Sequence, residues 1–303
     1  SYGAICLWLS ASMQQSRAKF LVYTGLGGFS AGLILGCRPQ LSIIVLLAPV
    51  ILAERLNNDR RGEIRFSWLK AAVTTAASAI VAAVPFLWWN HLRFGNFLDF
   101  GATYQLTTTD MRVPKDILSK LPFAFWQSLI SPLGIQDQFP FFSVAGAPGN
   151  SQGGYQGVYM AEPLLGGVLF WLPLGWLIVF AFKRQVRACP MNKTGVSLLM
   201  YSCLPLCVAI LSIDASVTFL ARYMSDWGFL FGIATVCAVI MLKNAVTNEI
   251  SKRYLDEAII VLVVVGLCLC FVATAMNGRF NQLLDSNPAL FTMARDAFAI
   301  FGL

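Results

Sequence analysis

The sequence predicts an all-α fold: a polytopic bundle of about eight transmembrane helices, with a large external loop that carries an interfacial helix. Three observations predict this class. Hydrophobic residues make up 57% of the 303 residues and charged residues only 12%, against about 25% charged in an ordinary soluble domain. The mean hydropathy is +0.67. Apolar runs recur at lengths near the ~20 residues that a helix needs to cross a bilayer core about 30 Å thick.

Eight apolar runs are candidate membrane spans, at residues 1–13, 20–37, 40–54, 67–89, 163–182, 194–213, 222–242 and 258–276. Arg38-Pro39, in GLILGCRPQLSIIVLL, interrupts the long run from Phe20 to Ala53. As one helix this run would measure about 51 Å at 1.5 Å per residue, which is too long for a single span. We therefore predict that the chain turns at Arg38-Pro39.

The basic residues favour the same turn. With it, 14 of the 22 basic residues fall in short loops on one side of the membrane, which the positive-inside rule identifies as the cytoplasm. These 14 are Arg17, Lys19, Arg55, Arg60, Arg61, Arg65, Lys70, Lys183, Arg184, Arg187, Lys193, Lys243, Lys252 and Arg253. We expect a multi-pass protein of the plasma membrane with an external C-terminus. The net charge of +7 then reflects cytoplasmic loops rather than a nucleic-acid partner.

This topology divides the chain into four segments: spans with the Arg-Pro hairpin at 1–89, an external loop at 90–161, further spans at 162–276 and an external tail at 277–303. The loop contains PKDILSKLPFAFWQSLISPLG, in which apolar residues recur near helical spacing. They are Ile117, Leu118, Leu121, Phe125, Trp126 and Leu129. This pattern predicts an amphipathic helix that either lies in the membrane interface or covers the bundle as a lid.

Two further expectations concern the ends of the chain. Asn287-Pro288 predicts the start of a short interfacial helix in the tail. The chain begins with Ser-Tyr-Gly inside an apolar run, and we expect it to be the C-terminal part of a longer protein.

Metal and cofactor chemistry has little support in the sequence. The eight cysteines lie mostly in apolar runs and are best interpreted as small apolar fillers. His91 is the only histidine, so a metal site of the usual His or Cys type is not predicted. No cofactor is predicted, and a divalent metal stays an open alternative.

Polar and aromatic residues interleave after the fourth predicted span, in WWNHLRFGNFLDFGATYQL. Trp88-Trp89 is typical of the aromatic belt at a membrane surface. The polar members that follow are His91, Arg93, Asp99, Tyr104 and Gln105. Together with the phenylalanines between them, they suit a ligand with a polar and an apolar part. The alternative is a loop that re-enters the membrane interface without binding anything.

A second group lies in DASVTFLARYMSDW, residues 214–227. Arg222 and Asp226 are four residues apart and share one helix face. They either anchor a helix end as an ion pair or hold an arginine towards an anionic group, because a guanidinium donates two parallel hydrogen bonds to a phosphate. Arg38 has the same predicted depth, either snorkelling or binding a head group.

Three motifs together resemble bacterial membrane glycosyltransferases of the GT-C superfamily, in the protein-O-mannosyltransferase-like branch. They are GCRPQ at 36–40, NHLRFGNFLDFGATYQL at 90–106 and ARYMSDW at 221–227. The resemblance covers most of this chain but only the C-terminal part of such a protein. It implies a multi-span fold that transfers a sugar from a polyprenyl-phosphate donor to a protein or glycan acceptor on the external face.

The resemblance also implies residue roles. Arg222, Arg38 and Arg93 are expected to bind the donor phosphate. Further substrate contacts are expected from Tyr223, Asp226, His91, Asp99, Tyr104 and Gln105. The family's catalytic carboxylate lies in a first external loop near the N-terminus, so no general base is assigned within this chain. Ser225-Asp226-Trp227 departs from the proline-containing run that usually follows the arginine.

Two other functions stay open. A transporter usually carries ionisable groups near mid-membrane. Here, in contrast, the polar groups collect on one face, and the span interiors carry no charged residue at 71–89, 163–182, 194–213, 227–242 and 258–276. A membrane scaffold that binds a lipid-linked or anionic substrate without catalysis is the other alternative.

Overall fold

The computed structural model describes residues 1–58, 68–101, 104, 117–132, 134–135, 139, 141–143, 166–192, 195–217, 223–273 and 283–300. These residues are almost wholly helical, as predicted. The helices are α1 (Tyr2–Ser12), α2 (Arg17–Ile34), α3 (Leu47–Asn58), α4 (Trp68–Phe94), α5 (Ile117–Phe125), α6 (Val168–Trp171), α7 (Leu177–Ala181), α8 (Arg184–Ala188), α9 (Gly195–Val217), α10 (Met224–Ala245), α11 (Glu249–Ala273), α12 (Leu283–Ser286) and α13 (Pro288–Ile300). Strands β1 (Gly134–Ile135) and β2 (Phe142–Ser143) form one short antiparallel pair in the described part.

Four of the described helices are long and apolar enough to cross a membrane: α4, α9, α10 and α11. They correspond to the runs predicted at 67–89, 194–213, 222–242 and 258–276. The eight predicted spans are not confirmed, because the other runs form shorter or less apolar helices. The run at 40–54 begins as a 3₁₀ helix, Pro39–Leu46, before α3.

The run at 163–182 does not form a single helix within the described residues. It contains α6, a 3₁₀ turn at Pro173–Trp176 and α7. Leu172, directly before the proline, has φ −123° and ψ 72°. A proline disfavours the helical conformation of the preceding residue. Hydropathy alone does not reveal this break, although Pro173 does.

The chain forms two compact units. Unit 1 comprises Ser1–Thr107 and Arg184–Leu206, and unit 2 comprises Thr108–Lys183 and Cys207–Leu303. Helix α9 therefore begins in unit 1 and continues in unit 2. This division does not follow the four segments expected from the sequence.

In unit 1, α2 packs closely on α4 through a row of glycines. A Cβ at Gly25 would lie 3.3 Å from the Thr74 Cγ2 atom, and a Cβ at Gly32 would overlap the Ala79 carbonyl oxygen. Gly36 similarly faces the ring of Phe86. The residue numbers of the contacting pairs increase together along both helices, so α2 and α4 are parallel. The 3₁₀ helix and α3, which connect them, must therefore run in the opposite direction.

The chain changes direction near Arg38-Pro39, the place at which the sequence predicts a turn. Helix α2 ends at Ile34, and Arg38 is extended, with φ −147° and ψ 86°. Pro39 occupies the start of the 3₁₀ helix. The backbone N–H groups at a helix start have no partner within the helix, so a proline there costs no hydrogen bond. Arg38 is half-buried, and its external location stays a prediction.

Unit 2 is organised around α10, the most deeply buried of its membrane-length helices. The segment 168–181 packs on α10 and α11. Gly175 leaves room for the Phe231 ring of α10, and Gly266 of α11 lies against Pro173. The remaining residues of α11 are exposed or half-buried in this unit, including Val261, at 59%. That surface suits contact with lipid.

Both predicted helices outside the spans are present in unit 2. Helix α5 continues through a π turn at Trp126–Ile130. Its protein-facing positions include Ala124 and Gln127, whereas Leu118 is 80% exposed. An exposed apolar side fits the interfacial alternative better than a lid. In α13, the Asn287 side chain accepts a hydrogen bond from the Leu290 amide at 3.1 Å, so the predicted cap is confirmed.

An exposed ion pair joins the ends of α10 and α11, with Lys243 Nζ 2.8 Å from Asp256 Oδ1. Both side chains are about half exposed, and water screens such pairs. Replacing Asp256 with asparagine should therefore lower the free energy of unfolding by at most about 1 kcal/mol. Thermal unfolding in detergent, at low and high salt, measures this. A loss as large as that from a buried apolar deletion would contradict it.

Candidate functional site

The first candidate site is the segment that follows α4 in unit 1. Gly95 ends the helix with φ +74°, and its amide donates to the His91 carbonyl at 2.8 Å. This left-handed conformation suits glycine. Asn96 and Asp99 then accept bonds from the amides two residues ahead, at 2.9 and 2.8 Å. One oxygen of the Asp99 carboxylate thus stabilises a turn.

This segment folds back onto the last turns of α4. The His91 ring stacks on Phe97, with centroids 4.4 Å apart and an angle of 8° between the planes. Trp88 lies beside both rings, 6.0 Å from His91. The Asn90 side-chain amide also donates to the Phe97 carbonyl at 3.3 Å. His91 is consequently held between helix and loop.

A second stack lies on the next face of the same segment. Phe94 and Tyr104 are parallel within 5°, with centroids 5.1 Å apart. The Arg93 Cζ atom lies 4.8 Å from the centre of the Phe94 ring, where the ring's negative face attracts a cation. The arginine charge is therefore held against an aromatic surface at the end of α4.

Four of the five residues predicted in this segment thus belong to one compact arrangement: His91, Arg93, Asp99 and Tyr104. Gln105 lies outside the described residues. The His91 Nδ1 atom is buried, and no described group hydrogen-bonds to it.

Arg38 is at the same end of unit 1 as this segment. Gly36 faces Phe86, and two residues further along each chain are Arg38 and Trp88. The parallel arrangement of α2 and α4 therefore brings Arg38 to the level of the aromatic segment. The sequence predicts the same depth for Arg38 and Arg222, but Arg222 lies outside the described residues, so that comparison stays a prediction.

Gly101 is the position where this segment is least tolerant of a side chain. It has φ +77°, and a Cβ there would lie 2.6 Å from the Phe94 ring. Gly95 has a similar φ, +74°, but open space around it. An alanine at either position costs about 1–2 kcal/mol of backbone strain, and only Gly101→Ala also displaces Phe94. We expect faster protease cleavage near residue 100 in Gly101→Ala than in Gly95→Ala. Equal rates would contradict the packing.

The second candidate site is the start of α10 in unit 2. Tyr223 precedes the helix, and Asp226 lies in its first turn, only 6% exposed. A carboxylate is favoured there because the helix dipole places positive charge at this end. Trp227, beside it, is buried as well. Arg222, the residue expected to meet the donor phosphate, lies outside the described residues.

A second buried carboxylate, Asp214, lies on α9. The sequence suggested that Asp214 closes its span, but the helix continues to Val217 and Asp214 is 6% exposed. The Cys207 thiol donates to the Trp227 carbonyl at 3.1 Å, which sets the level at which α9 and α10 meet.

Asp214 is the polar residue whose burial sequence reasoning missed. The sequence contained one signal for this burial: Asp214 directly follows an uncharged apolar run, and the residues after it are compatible with a continuing helix. As for metals, the described residues contain no group of three or more His, Cys, Asp or Glu side chains able to hold an ion.

Comparisons with known proteins give no match to this chain, whether with protein-family models, curated proteins or solved structures.

Proposed function

We propose that the chain is part of a plasma-membrane glycosyltransferase that moves a sugar from a polyprenyl-phosphate donor to a protein or glycan acceptor on the external face. The proposal starts from the resemblance of three motifs to the GT-C superfamily. It is supported by a helical membrane fold in which polar groups gather at helix ends. A lipid-linked donor needs both an apolar surface for its chain and a polar site for its phosphate.

The observation that carries the proposal is the burial of Asp226 in the first turn of α10, four residues after Arg222. A buried carboxylate is usually paired or hydrogen-bonded, and we infer that Asp226 orients Arg222, which comes two residues before the start of α10 in the sequence. An oriented guanidinium is suited to the phosphate that departs when the sugar is transferred. Preorganised positive charge of this kind stabilises a transition state without rearrangement.

The roles in the reaction are then divided. Arg222 stabilises the leaving phosphate, and Asp226 positions Arg222. Deprotonation of the acceptor hydroxyl requires a general base, and the family resemblance places that carboxylate in a first external loop outside this chain. Asp99 is poorly suited to that role, since its carboxylate already accepts the Gly101 amide.

Sugar transfer from a labelled polyprenyl-phosphate sugar tests the proposal directly. Membranes containing the protein expressed from its complete gene are compared with membranes from the same cells without it, across several donor sugars. Labelled acceptor should form only where the protein is present. Absence of transfer with every donor would overturn the proposal.

The burial of Asp214 specifically favours a second candidate, a transporter, because an ionisable residue buried in a membrane helix often lies on a substrate or proton path. The purified protein in sealed vesicles distinguishes the two. For the transferase, label should pass to the acceptor and should not accumulate inside vesicles. Accumulation that is lost in Asp214→Asn would favour the transporter.

A further inference from the structure

Two apolar clefts lie side by side along α4 within unit 1. One, of about 190 Å³, lies between α3 and α4, and the other, of about 220 Å³, lies between α2, the 3₁₀ helix and α4. Val45 lines both of them. The clefts exist because α4 packs closely on the glycines of α2 but touches α3 at few points.

The two clefts together follow α4 from Trp68 to Ala83. Fifteen residues of helix measure about 22 Å, which is most of a hydrocarbon core about 30 Å thick. Alanines form much of the α4 wall, including Ala72, Ala76 and Ala79. Their short side chains leave a long, shallow channel rather than a closed hole.

The two hydroxyl groups of the lining already have partners. The Thr75 hydroxyl donates to the Ala71 carbonyl at 2.9 Å, and the Ser42 hydroxyl donates to the Pro39 carbonyl at 2.6 Å. A channel without available polar partners does not hold water. On the same helix, Val73 and Ile80 are 56% and 61% exposed within the chain, as expected for a face in contact with lipid. A hydrocarbon chain from the bilayer is the occupant that matches this chemistry.

One end of the channel carries a positive charge. Leu35 and Ser42 line the cleft beside α2, and Arg38 lies in the turn that joins these two residues. Arg38 is half-buried, and its position in the chain is at this end of the channel. A guanidinium there favours a lipid whose head group is a phosphate without a compensating cation.

We propose that this channel binds an acyl chain of an anionic bilayer phospholipid, with the lipid head group at the Arg38 end. The binding belongs to unit 1 alone and does not depend on sugar transfer. The lipid would fill the gap between α3 and α4 and support the position of Arg38.

The test uses the complete protein in nanodiscs of equal phosphatidylglycerol and phosphatidylcholine, released gently, with retained lipids counted by native mass spectrometry. Wild type should retain phosphatidylglycerol preferentially. Ala76→Phe fills the channel and should lose most of the retained phosphatidylglycerol. Ala77→Phe, one residue along the same exposed helix but outside the lining, should retain it. Ala72→Phe repeats the test if Ala76→Phe does not fold.

The charge is tested separately. Arg38→Gln should reduce the preference for phosphatidylglycerol about fivefold, the effect of roughly 1 kcal/mol for one basic residue near a head group. Lys70→Gln removes a cation at the opposite end of the channel and should not change the preference. Equal retention by Ala76→Phe and Ala77→Phe would overturn the proposal. Displacement of phosphatidylglycerol by an added polyprenyl phosphate would also overturn the proposal, because the channel would then bind the polyprenyl group instead of an acyl chain.

Discussion

Replacing Arg222 with glutamine is expected to lower the rate of sugar transfer by a factor of about 10² to 10³, the usual effect of removing one preorganised charge-stabilising donor. Glutamine keeps the length and some hydrogen bonding of the side chain but cannot neutralise a departing phosphate. The loss should appear mainly in kcat, since the arginine acts most strongly where charge develops on the leaving group. The measurement is initial transfer rate at matched expression.

Three further variants show whether that loss is specific. Arg222→Lys keeps the charge but not the planar fork, so its rate should lie between those of wild type and Arg222→Gln. Arg253→Gln removes an exposed arginine paired with Glu257 and should leave transfer unchanged. Asp226→Asn removes the carboxylate that positions Arg222 and should also slow transfer. Unchanged transfer in Arg222→Gln would keep the transferase and exclude Arg222 from its site.

The fold could be predicted from the sequence where hydropathy and helix length agree. Within the described residues, the runs at 194–213, 222–242 and 258–276 each contain one continuous helix. The turn at Arg38 could also be predicted, because it combines excessive length, a fixed charge and a proline. The prediction of a single span failed at 163–182. The composition of this run is apolar enough for a span, but the helix is interrupted at Leu172, directly before Pro173, which disfavours a helical conformation there.

Proline alone is not a sufficient signal for such a break. Pro85 lies inside α4 and Pro205 inside α9, and both helices continue through them. In a membrane the surrounding helices can compensate for the lost hydrogen bond. Whether a proline interrupts or only bends a helix therefore depends on tertiary contacts that the sequence does not display.

The candidate site was predictable in composition but not in arrangement. The sequence showed that His91, Arg93 and Tyr104 share a polar and aromatic segment. It did not show that His91 stacks on Phe97, or that Arg93 lies over Phe94. The stacks of His91 on Phe97 and of Phe94 on Tyr104 follow Gly95 and Gly101, whose positive φ values help to reverse the chain onto α4. The apolar channel was missed altogether, because a gap between helices leaves no pattern in either helix.

Alanine at Gly28 or Gly32 is expected to lower the free energy of unfolding by about 1–3 kcal/mol each, the range for overpacking a closely fitted contact. A Cβ at Gly28 would overlap the backbone of Thr75, and one at Gly32 would overlap the Ala79 carbonyl oxygen. Backbone cannot rotate away as a side chain can, so α2 and α4 must separate. Small residues allow this close approach in membrane helices.

Gly232→Ala is the matched control, because Gly232 also lies in a long helix, α10, but has nothing within 4 Å of its missing Cβ. There alanine should stabilise by up to about 1 kcal/mol through its higher helix propensity. Unfolding in mixed micelles, followed by circular dichroism, gives all three values. Equal stability of Gly28→Ala and Gly232→Ala would contradict the parallel packing of α2 on α4. The packing of α2 on α4 also places Arg38 at the level of the aromatic segment that follows α4. Separating the two helices should therefore move Arg38 away from that segment.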